Sequence, residues 1–415
     1  MSREIPDEEL LFLIRSEVND LCRRQLLTLK QREEIERRLY HSFRKLDVLQ
    51  ELIDDPEVTE IMVNGPDHIF YEKNGSLTRY PYRFDSAARL DTIIQIIAGR
   101  ANKRINESQP IVDTRLPDGS RVNAVVAPVA VSGSSLSIRK FPANPMTMER
   151  LVKLGSLDET MTVFFSLIVA AGYNIFVSGG TGSGKTTFLN ALSAFIPEGE
   201  RVVTIEDSAE LQMKQVENLV RLETKSESIG GAPGIGIRDL LRTALRMRPD
   251  RIIVGEVRGA ECLDMLQANN TGHNGSMSTG HANSAQDMLS RLETMVLMGM
   301  DLPLFAVRGQ IAYGLDILVH LGRLRDRSRK VLSVDEITGI KDGQIMLHPL
   351  YRFEEQMSDD KKENRRAKVS GTWVQKGTLI DTRKLIDTGL FEECRRYGFC
   401  VGEEKNGTGE RRESC

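Results

Sequence analysis

The octapeptide Gly-Gly-Thr-Gly-Ser-Gly-Lys-Thr, residues 179–186, constrains the fold of this chain more than any other stretch. A short apolar run, NIFVS, precedes it, and a helical pattern, TFLNALSAF, follows it. A strand, a glycine-rich loop and a helix in this order let main-chain N–H groups surround phosphate oxygens, and the helix N-terminus adds its dipole. The octapeptide therefore predicts a phosphate-binding loop within an α/β domain.

The motif also assigns roles to individual residues. Lys185 is expected to reach the β- and γ-phosphates of a nucleotide, and the Thr186 hydroxyl is expected to bind Mg²⁺. The chain has no Asn-Lys-x-Asp motif of the kind that reads guanine, which favours ATP over GTP. The predicted nucleotide contacts are Gly180, Thr181, Gly182, Ser183, Gly184, Lys185, Thr186 and Thr187.

The region around the loop alternates apolar segments with helical patterns. The apolar segments are NIFVSG, RVVTIED, RIIVGEV, SMSTGHA, DILVHL and VLSVDEI. Alternation of this kind is typical of a parallel sheet that is covered by helices. It predicts a mostly parallel α/β domain over 151–353.

The segments outside this domain have different sequence patterns. Residues 1–45 are charged and helical in pattern, with a capping-box sequence, and predict an N-terminal arm. Residues 46–140 contain short strands joined by Asn-Gly and Asp-Gly pairs, which predict hairpins in a smaller α+β domain. The prolines of FPANPMT predict a linker over 141–150, and polar composition predicts a linker and C-terminal tail over 354–415. A short helix is expected around Leu385–Tyr397 within this last segment.

Two predicted strands end in carboxylates: Glu206 follows RVVTI and Glu256 follows RIIVG. In phosphate-loop enzymes, the strand beside the loop ends in a carboxylate that holds the Mg²⁺ shell. Here the pair is Gly255-Glu256 instead of the common Asp-Glu. We expect Glu256 to act on the attacking water or through a Mg²⁺-bound water, and Glu206 to orient the same water. Neither needs to be a strong base, because positioning dominates phosphoryl transfer.

The stretch TGHNGSMSTGHANS, residues 271–284, carries His273 and His281 and allows three interpretations. A zinc site would need two further ligands, and the nearest cysteine, Cys262, lies in a predicted helix. Either histidine could instead be a structural residue of a polar loop. The third interpretation places His281 at the carboxyl end of a third strand, where ligands of open α/β sheets bind. There the imidazole would contact the γ-phosphate and take part in catalysis, with His273 in support.

Composition limits the possible partners and the compartment. The net charge of −3 and the aromatic content of 6% argue against a nucleic-acid partner, because single-stranded nucleic acid needs a basic track and stacking platforms. The five cysteines are scattered and show no Cys-x-x-Cys spacing, and the acidic N-terminus contains no apolar signal segment. We therefore expect a cytoplasmic protein.

Four motifs occur in the order GGTGSGKT, RVVTIEDSAEL, RMRPDRIIVGEVRG and TGHNGSMSTGHANS. Together they resemble the secretion-ATPase superfamily of type II and type IV secretion systems and type IV pili. VTEIMVNGPDHIFYEKNG and RLPDGSRVNAV are similar to the N-terminal domain of the CpaF-like branch, the ATPases of tight-adherence (Flp/Tad) pili. The four-cysteine zinc insertion of type II secretion ATPases does not occur between His281 and Tyr351, which also favours this branch. The resemblance covers 46–353.

The resemblance implies a RecA-like domain that hydrolyses ATP with Mg²⁺. It implies a homohexameric ring, bound peripherally to the inner face of the cytoplasmic membrane, that drives a membrane-embedded platform protein by relative movement of its domains. ATP would lie between the two domains, so Arg115, Arg121 and Arg139 of the N-terminal domain would complete the catalytic site.

The expected function is therefore an ATP-driven motor that assembles a Flp/Tad pilus or a secretion apparatus. Three alternatives stay open. The chain could be a DNA-transfer ATPase of conjugative type IV secretion, a RecA-like nucleic-acid motor, or a nucleotide-gated scaffold that does not hydrolyse ATP.

Overall fold

The computed structural model describes residues 5–73, 75–141, 146–225, 233–356 and 369–401. The chain divides into two units, Met1–Asn144 and Pro145–Cys415. Asn74 of one predicted turn and most of the FPANPMT segment lie outside the described residues. Each unit has its own hydrophobic core.

The first unit begins with two helices that pack on each other, α1 (Asp7–Arg24) and α2 (Leu29–Arg44). The buried residues of α1 recur at helical spacing and are Leu10, Ile14 and Val18. The capping box is confirmed: the Thr28 hydroxyl accepts the N–H of Gln31, and the Gln31 side chain accepts the N–H of Thr28. These contacts satisfy two N–H groups that the helix itself cannot pair.

An antiparallel sheet forms the rest of the first unit. Its strands are β1 (Val58–Asn64), β2 (Ile69–Lys73), β3 (Ser76–Arg79), β4 (Ile111–Arg115), β5 (Arg121–Val125) and β6 (Ser135–Arg139), in the order β3-β2-β1-β6-β5-β4. The helices are a 3-10 turn (Asp47–Leu49), α3 (Gln50–Asp54) and α4 (Ala87–Arg100). Alternate strand residues and one face of α4 form the core, as expected for an antiparallel sheet with one covered face.

The second unit contains a nine-stranded sheet. Its strands are β7 (Ile175–Gly179), β8 (Val202–Glu206), β9 (Leu219–Glu223), β10 (Arg251–Val254), β11 (Met277–Gly280), β12 (Ile317–Arg323), β13 (Arg329–Lys341), β14 (Gln344–Glu355) and β15 (Gly371–Gln375). Their order is β15-β14-β13-β12-β7-β11-β10-β8-β9. The six strands from β12 to β9 are parallel, and β13, β14 and β15 extend the sheet in antiparallel pairing.

Helices cover both faces of this sheet. They are α5 (Met148–Lys153), α6 (Glu159–Ala170), α7 (Lys185–Leu192), a 3-10 turn (Ser193–Phe195), α8 (Ile237–Ala244), α9 (Glu261–Asn270), α10 (Ala285–Gly299), α11 (Leu304–Gly314), α12 (Arg383–Asp387) and α13 (Phe391–Arg396). Along β7, Ile175 and Val177 face one core cluster, and Phe176 faces the other. The central strands are buried on both sides, which explains their continuous apolar runs.

Three boundary and topology predictions are wrong. VLSVDEI, grouped with the parallel strands by the alternation pattern, is part of β13 and runs antiparallel to β12. The predicted linker 141–150 ends too late, because α5 begins at Met148. The predicted polar linker and C-terminal tail over 354–415 is wrong for 369–401, where β15, α12 and α13 are part of the second unit. The short helix expected around Leu385–Tyr397 corresponds to α12 and α13.

The C-terminal segment is held by apolar and polar contacts. Leu385 and Phe399 are buried in the same cluster as the helices α6 and α7. The Glu336 carboxylate accepts the main-chain N–H groups of Ile380 and Asp381 at 2.8 and 2.7 Å. Burial of these side chains, rather than local composition, makes the segment part of the domain.

In the part of the chain that the structure describes, no single helix combines the length and the apolar character of a membrane span. Helices α10 and α11 together reach that length and composition, but they are bent by 116° at the break between them.

Candidate active site

The phosphate loop has the predicted strand–loop–helix geometry. It begins at Gly179, where β7 ends, and leads into α7 at Lys185. At Gly179, which has φ of +155°, a Cβ would lie 2.4 Å from the carbonyl oxygen of Leu321 on β12. Gly184, the residue before α7, has φ of +97°. Both positions therefore require glycine, the first for close approach and the second for its left-handed backbone.

The remaining predicted nucleotide contacts lie along this loop and the first turn of α7. Gly180, Thr181, Gly182 and Thr187 are exposed, Gly184 and Thr186 are half-buried, and Ser183 is buried. A cavity of about 350 Å³ opens beside Gly180 and Thr181, with His281 and Arg291 in its wall. The loop is thus accessible to a ligand, and its residues stay the predicted phosphate contacts.

Lys185 is the link between the loop and the strand end that carries His281. Its ammonium donates to the carbonyls of Gly179 at 3.1 Å and Gly180 at 3.2 Å. It also lies 3.2 Å from Nδ1 of His281. The side chain is only 7% exposed, and this burial lowers its pKa below the ordinary lysine value.

His281 lies between Lys185 and Glu256. Its Nε2 is 2.8 Å from Oε1 of Glu256. This oxygen has no aligned hydrogen bond with any described residue, so the contact is chiefly electrostatic. Burial and the Lys185 ammonium lower the pKa of His281. In a neutral ring whose Nδ1 accepts from Lys185, the proton lies on Nε2, the nitrogen nearest Glu256.

Glu256 is ionised by its surroundings despite its partial burial. Burial raises its pKa, but the hydrogen bond from Arg258 at 2.6 Å and the charges of Arg258, His281 and Lys185 bring it below the ordinary value. The backbone on either side of Glu256 is held by Thr279, whose hydroxyl donates to the carbonyl of Gly255 and whose carbonyl accepts the N–H of Val257. The carboxylate therefore sits on a fixed backbone.

Glu206 has a different environment. It is 3% exposed, and its Oε2 accepts the N–H groups of Glu210 and Leu211 at 2.8 and 3.0 Å. Oε1 has no hydrogen-bond partner among the described residues. Burial raises the pKa of Glu206 to about 7. A Cβ at Gly255 would lie 2.7 Å from Cγ of Glu206, so the glycine makes room for this carboxyl group.

The order of strands brings these groups to one edge of the sheet. Strands β7, β11, β10 and β8 are consecutive neighbours and parallel, so their carboxyl ends align. Those ends carry, in the same order, the phosphate loop, His281, Glu256 and Glu206. This edge is where ligands of open α/β sheets bind.

His273 does not join this group. It precedes β11, whereas His281 follows it, so the four-residue strand separates the two histidines by roughly 13 Å at about 3.3 Å per residue. The two rings therefore cannot ligate one ion. His273 Nδ1 lies 3.1 Å from the carbonyl of Ala268. The expectation that His273 supports His281 at the phosphate is wrong.

The family of the chain follows from comparison with known proteins. The model of the family described as "Type II/IV secretion system protein" matches residues 43–376. The chain belongs to this secretion family. A putative conjugal transfer protein of Mycobacterium tuberculosis is 34% identical over 319 residues, which are 75% of this chain and 90% of that protein. Type IV secretion system protein PtlH of Bordetella pertussis is 33% identical over 318 residues, 70% of this chain and 93% of PtlH.

The solved structure of a pilus motor protein has the same fold as this chain. The crystal structure of the pilus retraction motor PilT with bound ADP has a TM-score of 0.53 and 20% identity, and the match covers 86% of this chain and 90% of PilT. At this identity the likeness concerns the fold alone. The tight-adherence branch within the secretion family stays a prediction.

The three arginines predicted to complete the site of this secretion-family chain lie in the first unit. Arg115 on β4 is paired in register with Arg121 on β5, and Arg121 is paired with Arg139 on β6. Directly paired residues project from the same face of a sheet. The three guanidinium groups thus form one basic row on the face opposite the core, and their catalytic role stays a prediction.

Two arginines at the active-site edge of this secretion-family chain were not among the predicted site residues. Arg258 holds Glu256, and Arg329 on β13 donates from Nε to the carbonyl of Gly182 at 2.9 Å. Arg258 lies two residues after Glu256 within RIIVGEVRG, so its proximity is visible in the sequence. Arg329 approaches the loop only because the β12–β13 hairpin folds beside it, which no local pattern indicates.

Proposed function

We propose that this chain hydrolyses ATP with Mg²⁺ and thereby powers a type IV secretion apparatus. The observation that supports hydrolysis is the contact series from Lys185 through His281 to Glu256 beside a complete phosphate loop. A scaffold that only binds nucleotide needs the loop but does not need a fixed, ionised carboxylate linked to it.

The donor set fits Mg²⁺. This ion is held by one or two protein oxygens together with phosphate oxygens and water, rather than by a full protein cage. Among the described residues no group of three or more His, Cys, Asp or Glu side chains is arranged to hold a metal. Thr186 and the ionised Glu256 would hold the ion, directly or through water. When bound, it would neutralise charge on the β- and γ-phosphate oxygens.

Each residue then has a distinct task. The loop N–H groups and Lys185 orient the triphosphate and stabilise negative charge. Glu256 orients the attacking water, and His281 contacts the γ-phosphate and so registers its loss. Positioning of this kind is sufficient for a loose phosphoryl-transfer transition state.

Glu206 differs from Glu256 in protonation. With a pKa of about 7 it is partly protonated at neutral pH, and its Oε1 is free of hydrogen bonds with described residues. Glu206 would orient the attacking water beside Glu256 through one hydrogen bond, which its carboxyl group donates when protonated and accepts when ionised.

The kind of machine is supported by the relatives. The Mycobacterium tuberculosis relative is described as a putative conjugal transfer protein, and PtlH is described as a type IV secretion system protein. We extend this to a homohexameric ring on the inner face of the cytoplasmic membrane that acts on a membrane platform protein, without direct contact with nucleic acid. Assembly of a Flp/Tad pilus is the second candidate, favoured by the NGPD segment, residues 64–67, which contains the last residue of β1 and the turn to β2.

The test of hydrolysis is phosphate release from Mg²⁺-ATP by the full chain. We expect Glu256→Gln and His281→Ala to lower kcat by about 100-fold or more while ATP binding persists, because each removes an interaction of the reacting γ-phosphate or water. Lys185→Ala is expected to weaken binding itself. His348→Ala is the matched control, since His348 lies on β14 and contacts the carbonyl of Thr378. Equal turnover by wild type and Glu256→Gln would refute the assignment.

The choice of machine is tested in the native cell. Replacement of the gene by the Glu256→Gln form is expected to abolish transfer or secretion of substrate and to leave surface fibres intact. Loss of fibres with normal transfer would instead select the pilus motor.

A further inference from the structure

The hairpin formed by β12 and β13 lies beside the phosphate loop and contacts it through an arginine. Arg323 and Arg329 are the last paired residues before the turn of this hairpin, and both are exposed. Arg329 donates from Nε to the carbonyl of Gly182 at 2.9 Å. A Cβ at Gly184 would lie 3.4 Å from Cδ of the same side chain, so the arginine stem also covers this glycine. One side chain thus contacts the loop at two points.

Both strands of the hairpin are fixed where they approach the loop. On the β12 side, the hydroxyl of Ser178 donates to the Val319 carbonyl and lies 2.9 Å from Nδ1 of His320. On the β13 side, the carbonyl of Val331 accepts the indole N–H of Trp373 at 2.7 Å. The strand that carries the arginine therefore has a fixed course beside the loop.

The contact with Gly182 fixes the orientation of one peptide unit. In a trans peptide, the carbonyl of Gly182 and the N–H of Ser183 point in opposite directions. Arg329 holds the carbonyl on the side of the hairpin, so the N–H points across the loop, where it donates to the Gly180 carbonyl at 3.3 Å. N–H groups that point into such a loop are the donors for phosphate oxygens. Because Gly182 has no side chain to resist rotation, an external contact keeps this peptide unit in place.

Arg323 provides a comparison within the same hairpin. Its Nη1 would lie 3.8 Å from a Cβ at Gly182, so its charge is also close to the loop. Among the described residues, however, only Arg329 donates to the Gly182 carbonyl. The two arginines therefore separate the effect of a hydrogen bond from the effect of a nearby positive charge.

We propose that Arg329 is a positioning residue, which holds the peptide unit between Gly182 and Ser183 in the orientation that binds a phosphate oxygen. The hydrogen bond from Nε carries this role, rather than the charge of the guanidinium group. The inference rests on the proposed function, because it takes the loop as the site of the nucleotide phosphates. Arg329 would act on these phosphates only through the loop.

Two variants of Arg329 separate the donor from the charge. Glutamine has its amide nitrogen at the same number of bonds from Cα as Nε of arginine, so Arg329→Gln keeps an N–H donor and removes the charge. Methionine keeps the length of the stem but has no donor, so Arg329→Met removes both. Arg323→Met is the matched control, because it removes a charge beside the loop and leaves the hydrogen bond in place.

The first test needs no nucleotide. Hydrogen exchange is measured on the full chain for wild type and the three variants. We expect amide exchange over 182–188 to be roughly threefold to tenfold faster in Arg329→Met, as for the loss of one hydrogen bond, and unchanged in Arg329→Gln and Arg323→Met. Unchanged exchange in Arg329→Met, or equally fast exchange in both Arg329 variants, would overturn the proposal.

The second test is the affinity of the full chain for Mg²⁺-ADP and for inorganic pyrophosphate, measured by calorimetry at about 0.3 M salt, where exposed charges are largely screened. Arg329→Met is expected to weaken both ligands by the same factor, roughly threefold to tenfold, since both use the loop. Arg329→Gln and Arg323→Met are expected to change either affinity by less than about twofold.

Two results of the binding test would overturn the proposal. Equal weakening by Arg329→Gln and Arg329→Met would show that the charge matters, and weakening of ADP alone would show a direct contact with the nucleoside. A wild type that binds neither ligand would refute the proposed function instead, and the exchange experiment would still decide the role of Arg329.

Discussion

Glu206 provides a quantitative prediction, because a buried carboxyl group makes stability depend on pH. The perturbation is Glu206→Gln, which keeps the shape and an oxygen for the N–H groups of Glu210 and Leu211 but removes the ionisation. In the folded protein the pKa of Glu206 is about 7, against 4.5 for the unperturbed group. The protonated form is therefore the form that the fold favours.

The sign and the size of the pH effect on the free energy of unfolding follow from this difference in pKa. The folded-state pKa is the higher one, so the stabilising contribution is complete below pH 4.5 and is lost as the pH rises through about 7. At about 1.4 kcal/mol for each tenfold change in proton affinity, the loss approaches about 3 kcal/mol. No reduction for solvent screening is needed, since the side chain is almost completely buried.

Thermal unfolding between pH 4.5 and 8.5 measures the effect. The wild type should lose about 3 kcal/mol relative to Glu206→Gln over this range, or roughly 6 °C or more in Tm for a domain of this size. Asp207→Asn is the matched control, because it removes a carboxylate at the next, exposed position. If wild type and Glu206→Gln show parallel curves of Tm against pH, the assigned protonation of Glu206 is wrong.

Two further predictions concern packing. Gly255→Ala should destabilise the second unit by about 1–3 kcal/mol, because its Cβ would overlap Cγ of Glu206. In a Glu206→Ala background this loss should largely disappear, and additive losses in denaturant unfolding of the four proteins would contradict the predicted overlap. Leu385→Ala should lower the free energy of unfolding by about 3 kcal/mol and the neighbouring Ile386→Ala by less than about 1 kcal/mol, because Leu385 is fully buried and Ile386 is 49% exposed. Similar losses for the two variants in urea unfolding would contradict the placement of α12 in the core.

The features that the sequence predicts well are those encoded locally. The phosphate loop depends on glycines, a lysine and a threonine within eight residues, and the neighbouring strand and helix have strong patterns of their own. Glu206, Glu256 and His281 were each predictable at a strand end, because polar residues interrupt apolar runs there. Their common edge follows from parallel pairing, which the helical connections indicate.

The features that the sequence does not reveal depend on pairing between distant segments. The contact of His320 with Ser178 requires the register of β12 on β7, which no local pattern encodes. A helix near Leu385–Tyr397 is indicated by the sequence, but its burial is not, because side chains such as Leu385 meet the core only after folding. The direction of β13 is a different case. It could have been predicted as antiparallel from the sequence, because the connection 324–328 is too short for a parallel crossover.

The arrangement of strand ends has a consequence for folding. The phosphate loop and His281 are about a hundred positions apart in the chain, yet their strands β7 and β11 are neighbours, and β8 and β10 belong to the intervening segment. The pocket therefore forms only when these long-range pairings are complete. Any ligand that binds there stabilises the entire parallel sheet, by an amount that grows with the logarithm of its concentration. A higher concentration of nucleotide would therefore also make the folded sheet more resistant to proteolysis.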